Sequence, residues 1–227
     1  MAAGEGRRLR PLTERYAKPV LPIDGEPVLA TLLHALAAAG IERVWLVTGY
    51  LARQVESLAG DGSAFGLEVR IVSQPRPDGS ADAVRRALDA GAVPPFVVSA
   101  ADTRFAAGDL TRFLAAAREA DGALAIRRDP PPPPGATVDV AAGRVVNVLG
   151  GAPESPFGGA PLWAFGPAAA AHLDELPGPP YELAVALQRA VDGGLAIAAP
   201  EVGPTRDLTT PFDLLEENFP YLRGLPS

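Results

Sequence analysis

From Arg43 to Arg128 the sequence alternates short β-branched runs with segments of helical spacing, and this alternation constrains the fold most. Arg43–Thr48 (RVWLVT), Leu67–Ser73, Phe96–Ser99 and Ala123–Arg128 read as strands. Leu51–Ala59, Ala81–Ala90 and Asp109–Ala120 read as helices, the last capped by Asp109 or Gly108. Upstream, Pro27–Ala39 spaces its leucines helically, with Pro27 at a first-turn position and Gly40 as the stop. Strands and helices alternating at this spacing predict an α/β protein with a doubly wound, mixed but mostly parallel sheet covered on both faces, in three layers. Asp129, five prolines and Gly135 then predict a stiff connector. Beyond it the pattern is α+β. A hairpin is expected from Thr137–Val140 and Arg144–Leu149, and a strand at Ala160–Phe165. Helices follow near Pro167–Leu176 and Tyr181–Val191, then a strand at Leu195–Val202 and a closing helix at Pro211–Arg223 capped by Thr209 or Thr210.

The chain of 227 residues suits one domain, with residues 1–128 as one half and 129–227 as a closing half. Its net charge of −7 argues against a general nucleic-acid binder but leaves room for a local anion pocket. Without cysteine there is no disulfide, thiolate nucleophile or cysteine-ligated zinc, and two histidines are too few for a histidine-rich metal site. The most apolar run, Val28–Ile41, is too short for a bilayer and is interrupted by His34. No signal peptide is visible, so a cytoplasmic location without membrane attachment is expected.

Against this acidic background the first 23 residues, MAAGEGRRLRPLTERYAKPVLPI, concentrate positive charge. Gly4 and Gly6 allow backbone amides to approach a ligand. Arg7, Arg8, Arg10, Arg15 and Lys18 follow, and Lys18 is the only lysine in the chain. A glycine turn followed by clustered cations is what a polyphosphate needs. A doubly wound sheet normally feeds a strand into such a turn, yet only Met1, Ala2 and Ala3 precede Gly4. Either the first strand is truncated in this sequence or the protein lacks it. We expect an upstream hydrophobic segment of about six residues, the usual strand length.

The run G-E-G-R-R-L-R-P-L-T, followed by A-K-P-V-L-P-I, resembles the signature of the sugar-1-phosphate nucleotidylyltransferases (NDP-sugar pyrophosphorylases). That signature reads L-A-A-G-x-G-x-R-L-x-P-L-T and then P-K-P-x-L-P-[VI]. Gly60–Gly66, Gly79–Ala83 (GSADA), Asp102 and Arg206–Asn218 (RDLTTPFDLLEEN) are similar to further family segments, so the likeness runs through most of the chain. It implies a Rossmann-like nucleotidyltransferase domain, related to the GT-A fold, with a smaller α+β sugar-binding part. The implied reaction joins a nucleoside triphosphate to a sugar 1-phosphate by in-line attack on the α-phosphorus, giving an NDP-sugar and pyrophosphate. Such transfers depend on alignment and charge neutralisation.

The same resemblance implies the site. Arg8 would hold the leaving pyrophosphate and Lys18 would neutralise a phosphate at the reacting centre. Ala3, Gly4 and Gly6 would cradle the triphosphate. Gln74 would read the base together with Gly79 and Ser80, with a lean towards a pyrimidine. Asp102 and Asp207 would bind Mg²⁺, a hard cation suited to carboxylate and phosphate oxygens. Glu182 would contact sugar hydroxyls, although it could equally open a helix. Val148–Ser155 stands where the family carries a sugar-phosphate lysine and contains none. Two alternatives follow: a cytidylyltransferase for a phosphorylated alcohol such as phosphocholine, or a non-catalytic nucleotide-sugar-binding regulator. The expected partners are the two small substrates. Dimers and tetramers are common among similar proteins, so a homo-oligomer is compatible with this reading.

Overall fold

The computed structural model of the protein describes residues 1–128 and 136–219. The proline connector expected at 129–135, and the end of the closing helix expected at 220–223, lie outside the described residues. In chain order the strands are β1 (Pro22–Ile23), β2 (Glu26–Pro27), β3 (Arg43–Thr48), β4 (Glu68–Ser73), β5 (Phe96–Ser99), β6 (Thr103–Arg104), β7 (Gly122–Arg127), β8 (Asp139–Ala141), β9 (Arg144–Asn147), β10 (Gly158–Phe165), β11 (Ile197–Ala198) and β12 (Arg206–Asp207). The α-helices are α1 (Val28–Ala38), α2 (Ala52–Ala59), α3 (Ser80–Asp89), α4 (Asp109–Arg118), α5 (Pro167–Ala170), α6 (Leu183–Asp192) and α7 (Pro211–Asn218). The protein is α/β with a mixed sheet and Rossmann-like elements, as expected.

Contacts divide the chain into two units, neither of which follows the chain midpoint. The first comprises Met1–Pro77, Ala100–Arg104 and the C-terminal segment from Arg206. Its β3 and β4 pair in parallel from Arg43↔Glu68 to Thr48↔Ser73, and Ala2 adds a parallel bridge to Thr48. The Ala2 N–H donates to Val47 O at 2.7 Å, and the Met1 carbonyl accepts from Ala101 N–H at 2.9 Å. The opening residues therefore run as strand-like backbone beside β3. Helix α1 forms because its leucines recur on one stripe, and Gly40 ends it in a left-handed conformation, φ +86°. That stripe buries Leu29 and Leu33 against Leu46, Val55 and Val69. Each such side chain contributes about 1.5–3 kcal/mol. A second small core joins Leu9, Leu21, Ile23, Val28 and Leu208, tying the opening loop to the segment before α7.

The second unit, Asp78–Ser99 and Phe105–Thr205, holds a six-stranded sheet in the order β5-β10-β7-β11-β9-β8. Here β7 and β11 pair in parallel, while β10 lies antiparallel between β5 and β7 and the β8–β9 hairpin closes one edge. The strand expected at Leu195–Val202 shortens to Ile197–Ala198 because Pro200 has no N–H to continue the ladder. Pairing resumes as a bridge at Glu201. The helix expected at Pro167–Leu176 is α5 followed by a 3₁₀ turn, Ala171–Leu173.

Candidate active site

In the first unit three parallel backbones end side by side, those of Ala2, β3 and β4. Ligand groups in α/β proteins cluster at such carboxyl ends. Ala3, Gly49 and Gln74 occupy them. A Cβ on Gly49 would fall 2.7 Å from Gln74 O and 2.9 Å from Ala3 Cβ, so a glycine is needed for this close approach. Gln74 is 5% exposed, and its N–H donates to Thr48 O at 2.7 Å.

Past Ala3 the chain makes three 3₁₀ turns, Arg7–Leu9, Leu12–Glu14 and Lys18–Val20. Three contacts set their course. Gly6 is left-handed at φ +61°, and a Cβ there would press on Thr13 Cγ2 at 3.0 Å and Lys18 Cβ at 3.4 Å. Buried Thr13 donates its hydroxyl to Gly6 O at 3.0 Å. The Gln54 amide grips the far end, donating to Arg15 O at 2.7 Å and accepting from Ala17 N–H at 2.8 Å.

The loop encloses a cavity of about 310 Å³ lined by Met1, Ala2, Gly4, Gly6, Arg7, Arg8, Leu9, Lys18, Pro19, Asp102, Leu208 and Thr209. Nothing lies within 4 Å of a Cβ placed on Gly4, so its backbone is open to an occupant. The structure sorts the loop's cations. Arg7 pairs with Glu5 at 2.7 Å and Arg10 approaches the same carboxylate at 3.7 Å. The Arg7 hydrogen bond holds the Glu5 carboxyl below the usual carboxylate range. Lys18 Nζ lies 2.6 Å from Asp102 Oδ2, with the two side chains 14% and 27% exposed. Arg8 is exposed and has no ion pair among the described residues. The cavity thus presents one unneutralised guanidinium and one lysine shared with a carboxylate.

Asp102 immediately precedes β6, and Asp207 lies on β12 in register with Thr103, so the two residues lie at the same end of one short ribbon. Asp207 is exposed, and its neighbours Leu208 and Thr209 line the cavity. Among the described residues no three His, Cys, Asp or Glu side chains form a metal cluster. Two carboxylates do fit Mg²⁺, which is usually held by one or two and completes its shell with substrate phosphates and water. Thr210 caps α7 in a reciprocal box with Asp213, whose Oδ2 accepts the Thr209 and Thr210 N–H groups at 2.7 and 2.8 Å. Burial pushes the Asp213 carboxyl up, but these hydrogen bonds and the nearby Lys18 charge leave it below its ordinary value.

In the second unit Gly79, Ser80 and Glu182 come together. Gly79 has φ +113°, and a Cβ there would fall 2.2 Å from Tyr181 O. Tyr181 N–H donates to Asp78 O at 2.7 Å, and Ala81 N–H donates to Tyr181 O at 2.8 Å. The Ser80 hydroxyl donates to Glu182 Oε2 at 2.5 Å and accepts from Leu183 N–H at 2.9 Å, capping α6 from outside. Asp82 pairs with Arg86 along α3.

The family model described as nucleotidyl transferase matches residues 1–134. The chain belongs to the nucleotidyl transferase family. A glucose-1-phosphate thymidylyltransferase of Streptomyces griseus is 38% identical over 135 residues, covering 58% of this chain and 38% of the relative. A mannose-1-phosphate guanylyltransferase of Mycobacterium tuberculosis is 48% identical over 80 residues, covering 35% and 22%. Each match thus spans less than half of the relative's own length. The inositol-1-phosphate CTP transferase of T. maritima superposes with a TM-score of 0.78 at 20% identity over 100% of this chain and 96% of that one, which shows a shared fold.

For a nucleotidyl transferase of this kind the structure gathers Gly4, Gly6, Arg8, Lys18 and Asp102 on one cavity and sets Ala3 and Gln74 on either side of Gly49. Sequence reading missed the residues that hold these groups in place. Thr13 and Asp213 had legible signals, the signature threonine and the T-x-x-D capping spacing. Gln54 had none, being one helical glutamine among surface residues. No helix among the described residues is long and apolar enough to cross a membrane.

Proposed function

We propose that this chain catalyses the transfer of a nucleotidyl group from a nucleoside triphosphate to a sugar 1-phosphate, releasing pyrophosphate. The observation that carries the reading is the cavity itself. Unpaired Arg8, Lys18 and the open Gly4 backbone face one space that Asp102 also borders. Arg8 offers a planar fork for two oxygens of the leaving pyrophosphate. Lys18 neutralises charge on the reacting phosphate, and the Gly4 and Gly6 amides orient the triphosphate. Asp102 and Asp207 would hold Mg²⁺, which supplies charge neutralisation to the phosphate oxygens when bound. Gln74 presents an amide able to donate and accept at a base edge. The relatives named above include one for thymidylyl and one for guanylyl transfer, so base choice rests on Gln74 alone, favouring a pyrimidine. Glu182 and Ser80 keep the roles that the resemblance gives them, at the sugar and at the nucleotide. The expected location is cytoplasmic.

Incubation with Mg²⁺, each nucleoside triphosphate and a panel of sugar 1-phosphates should release pyrophosphate with at least one pair. A panel that releases none refutes the proposal. One observation favours a second reading, a phosphorylated alcohol as acceptor. Val148–Ser155 offers no lysine, and the Val148 and Leu149 N–H groups are already bound to Gln188 Oε1 at 2.7 and 3.2 Å. Adding phosphocholine with cytidine triphosphate to the panel separates the two.

A further inference from the structure

The two carboxylates assigned to the metal sit on a very small scaffold. Strands β6 and β12 are two residues each, with Arg104 opposite Arg206 and Thr103 opposite Asp207. So short a ribbon is marginal by its backbone bonds alone. Placing two arginines directly across from one another makes it worse, because like charges at facing positions repel.

Asp24 resolves this repulsion. It occupies the two-residue turn of the β1–β2 hairpin with Gly25, both left-handed at φ +55° and +80°. Its carboxylate accepts two hydrogen bonds from Arg206, Nη1 to Oδ2 at 2.6 Å and Nη2 to Oδ1 at 2.8 Å, and a third from Arg104. Arg206 also donates to Glu217 of α7, while Asn218 donates to Pro22 O and accepts from Gly25 N–H, each at 2.8 Å. One carboxylate is thereby held against a strand beside Asp102 and a strand containing Asp207. The arginine hydrogen bonds pull the Asp24 carboxyl from its ordinary 3.8 to about 2, as expected of a group facing two guanidinium ions.

We propose that Asp24 is a positioning residue for the Asp102–Asp207 pair: by offsetting the repulsion between the facing Arg104 and Arg206 it keeps together the ribbon beside which the two metal-binding carboxylates sit, without touching the metal. The proposal rests on the assignment of those carboxylates to a divalent cation.

The test is Mn²⁺ binding to the full chain, followed by the electron paramagnetic resonance of free Mn²⁺ without nucleotide. Asp24→Asn removes the charge and keeps a residue well suited to a left-handed turn, so the hairpin is retained. It should weaken Mn²⁺ binding about tenfold, the lower end of the effect of losing an outer support of a metal site. Arg104→Gln alone should stay near wild type, because Arg206 keeps its two bonds to Asp24. Combining Asp24→Asn with Arg104→Gln should recover most of the lost affinity, since the facing positive pair is gone. A residue that merely stabilised the hairpin would give no such recovery. Wild-type affinity in Asp24→Asn, or a double variant no better than Asp24→Asn, overturns the proposal. Asp102→Asn serves as control: if wild type and Asp102→Asn both fail to bind Mn²⁺, the metal assignment falls and the positioning role with it.

Discussion

Replacing Lys18 with Met should tighten divalent-cation binding while ending turnover, two effects of opposite sign from one substitution. In the structure the ammonium holds the Asp102 carboxylate at 2.6 Å with both side chains largely sheltered. A cation entering at Asp102 must first displace that contact. Exposed pairs contribute up to about 1 kcal/mol, and hydrogen bonds to charged groups about 1.5–3 kcal/mol. For a pair between these limits, about 1–2 kcal/mol is removed from the cost of metal entry. That corresponds to roughly five- to thirtyfold tighter Mn²⁺ binding, measured without nucleotide. Stability should fall by only about 1 kcal/mol, because Asp102 keeps enough exposure to hydrate after losing its partner. Pyrophosphate release should drop to background, since Lys18 is the only lysine in the chain and methionine carries no charge to offer a phosphate. Mn²⁺ affinity equal to or weaker than wild type in Lys18→Met would refute the reasoning, for it would mean that the lysine and the metal do not compete for one carboxylate.

Other expectations come from single positions. Gly79→Ala should cost about 3 kcal/mol or more in urea denaturation, because φ +113° and a 2.2 Å approach to Tyr181 O both exclude a Cβ; a loss below about 1 kcal/mol counts against it. Arg8→Lys keeps the charge and loses the fork, so kcat/KM for pyrophosphate formation should fall about ten- to hundredfold with an unchanged melting temperature. An Arg8→Gln enzyme with full activity would remove Arg8 from the site. Asp24 is depressed in the folded state, so its contribution is present above pH 3.8 and is lost as pH falls towards about 2. After solvent screening this amounts to about 1 kcal/mol, and Asp24→Asn should flatten the acid limb of stability by that much.

What was legible in the sequence and what was not divide along a physical line. Helices α1 to α4 follow from periodicity because each buries one face, whereas β3 follows from an unbroken β-branched run whose Leu46, Val47 and Thr48 are all buried. Arg8 and Lys18 were singled out by their signature positions. Their electrostatic states were not legible, because an ion pair depends on which distant segment arrives beside it. Nothing near Lys18 in the chain announces Asp102, 84 residues on. Antiparallel insertion of β10 between β5 and β7 was equally hidden, since a buried strand reads the same in either direction. The supports were the least visible. Gln54 and Asp24 act on backbone and on partners far away in sequence, and neither belongs to a periodic face or a signature. A site of this kind is therefore half written in local sequence. The glycines and cations assigned to the phosphates, Gly4, Gly6, Arg8 and Lys18, sit in a contiguous motif because one loop must present them together. Groups that hold that loop need only reach it, and any segment the fold brings within hydrogen-bond distance can supply them.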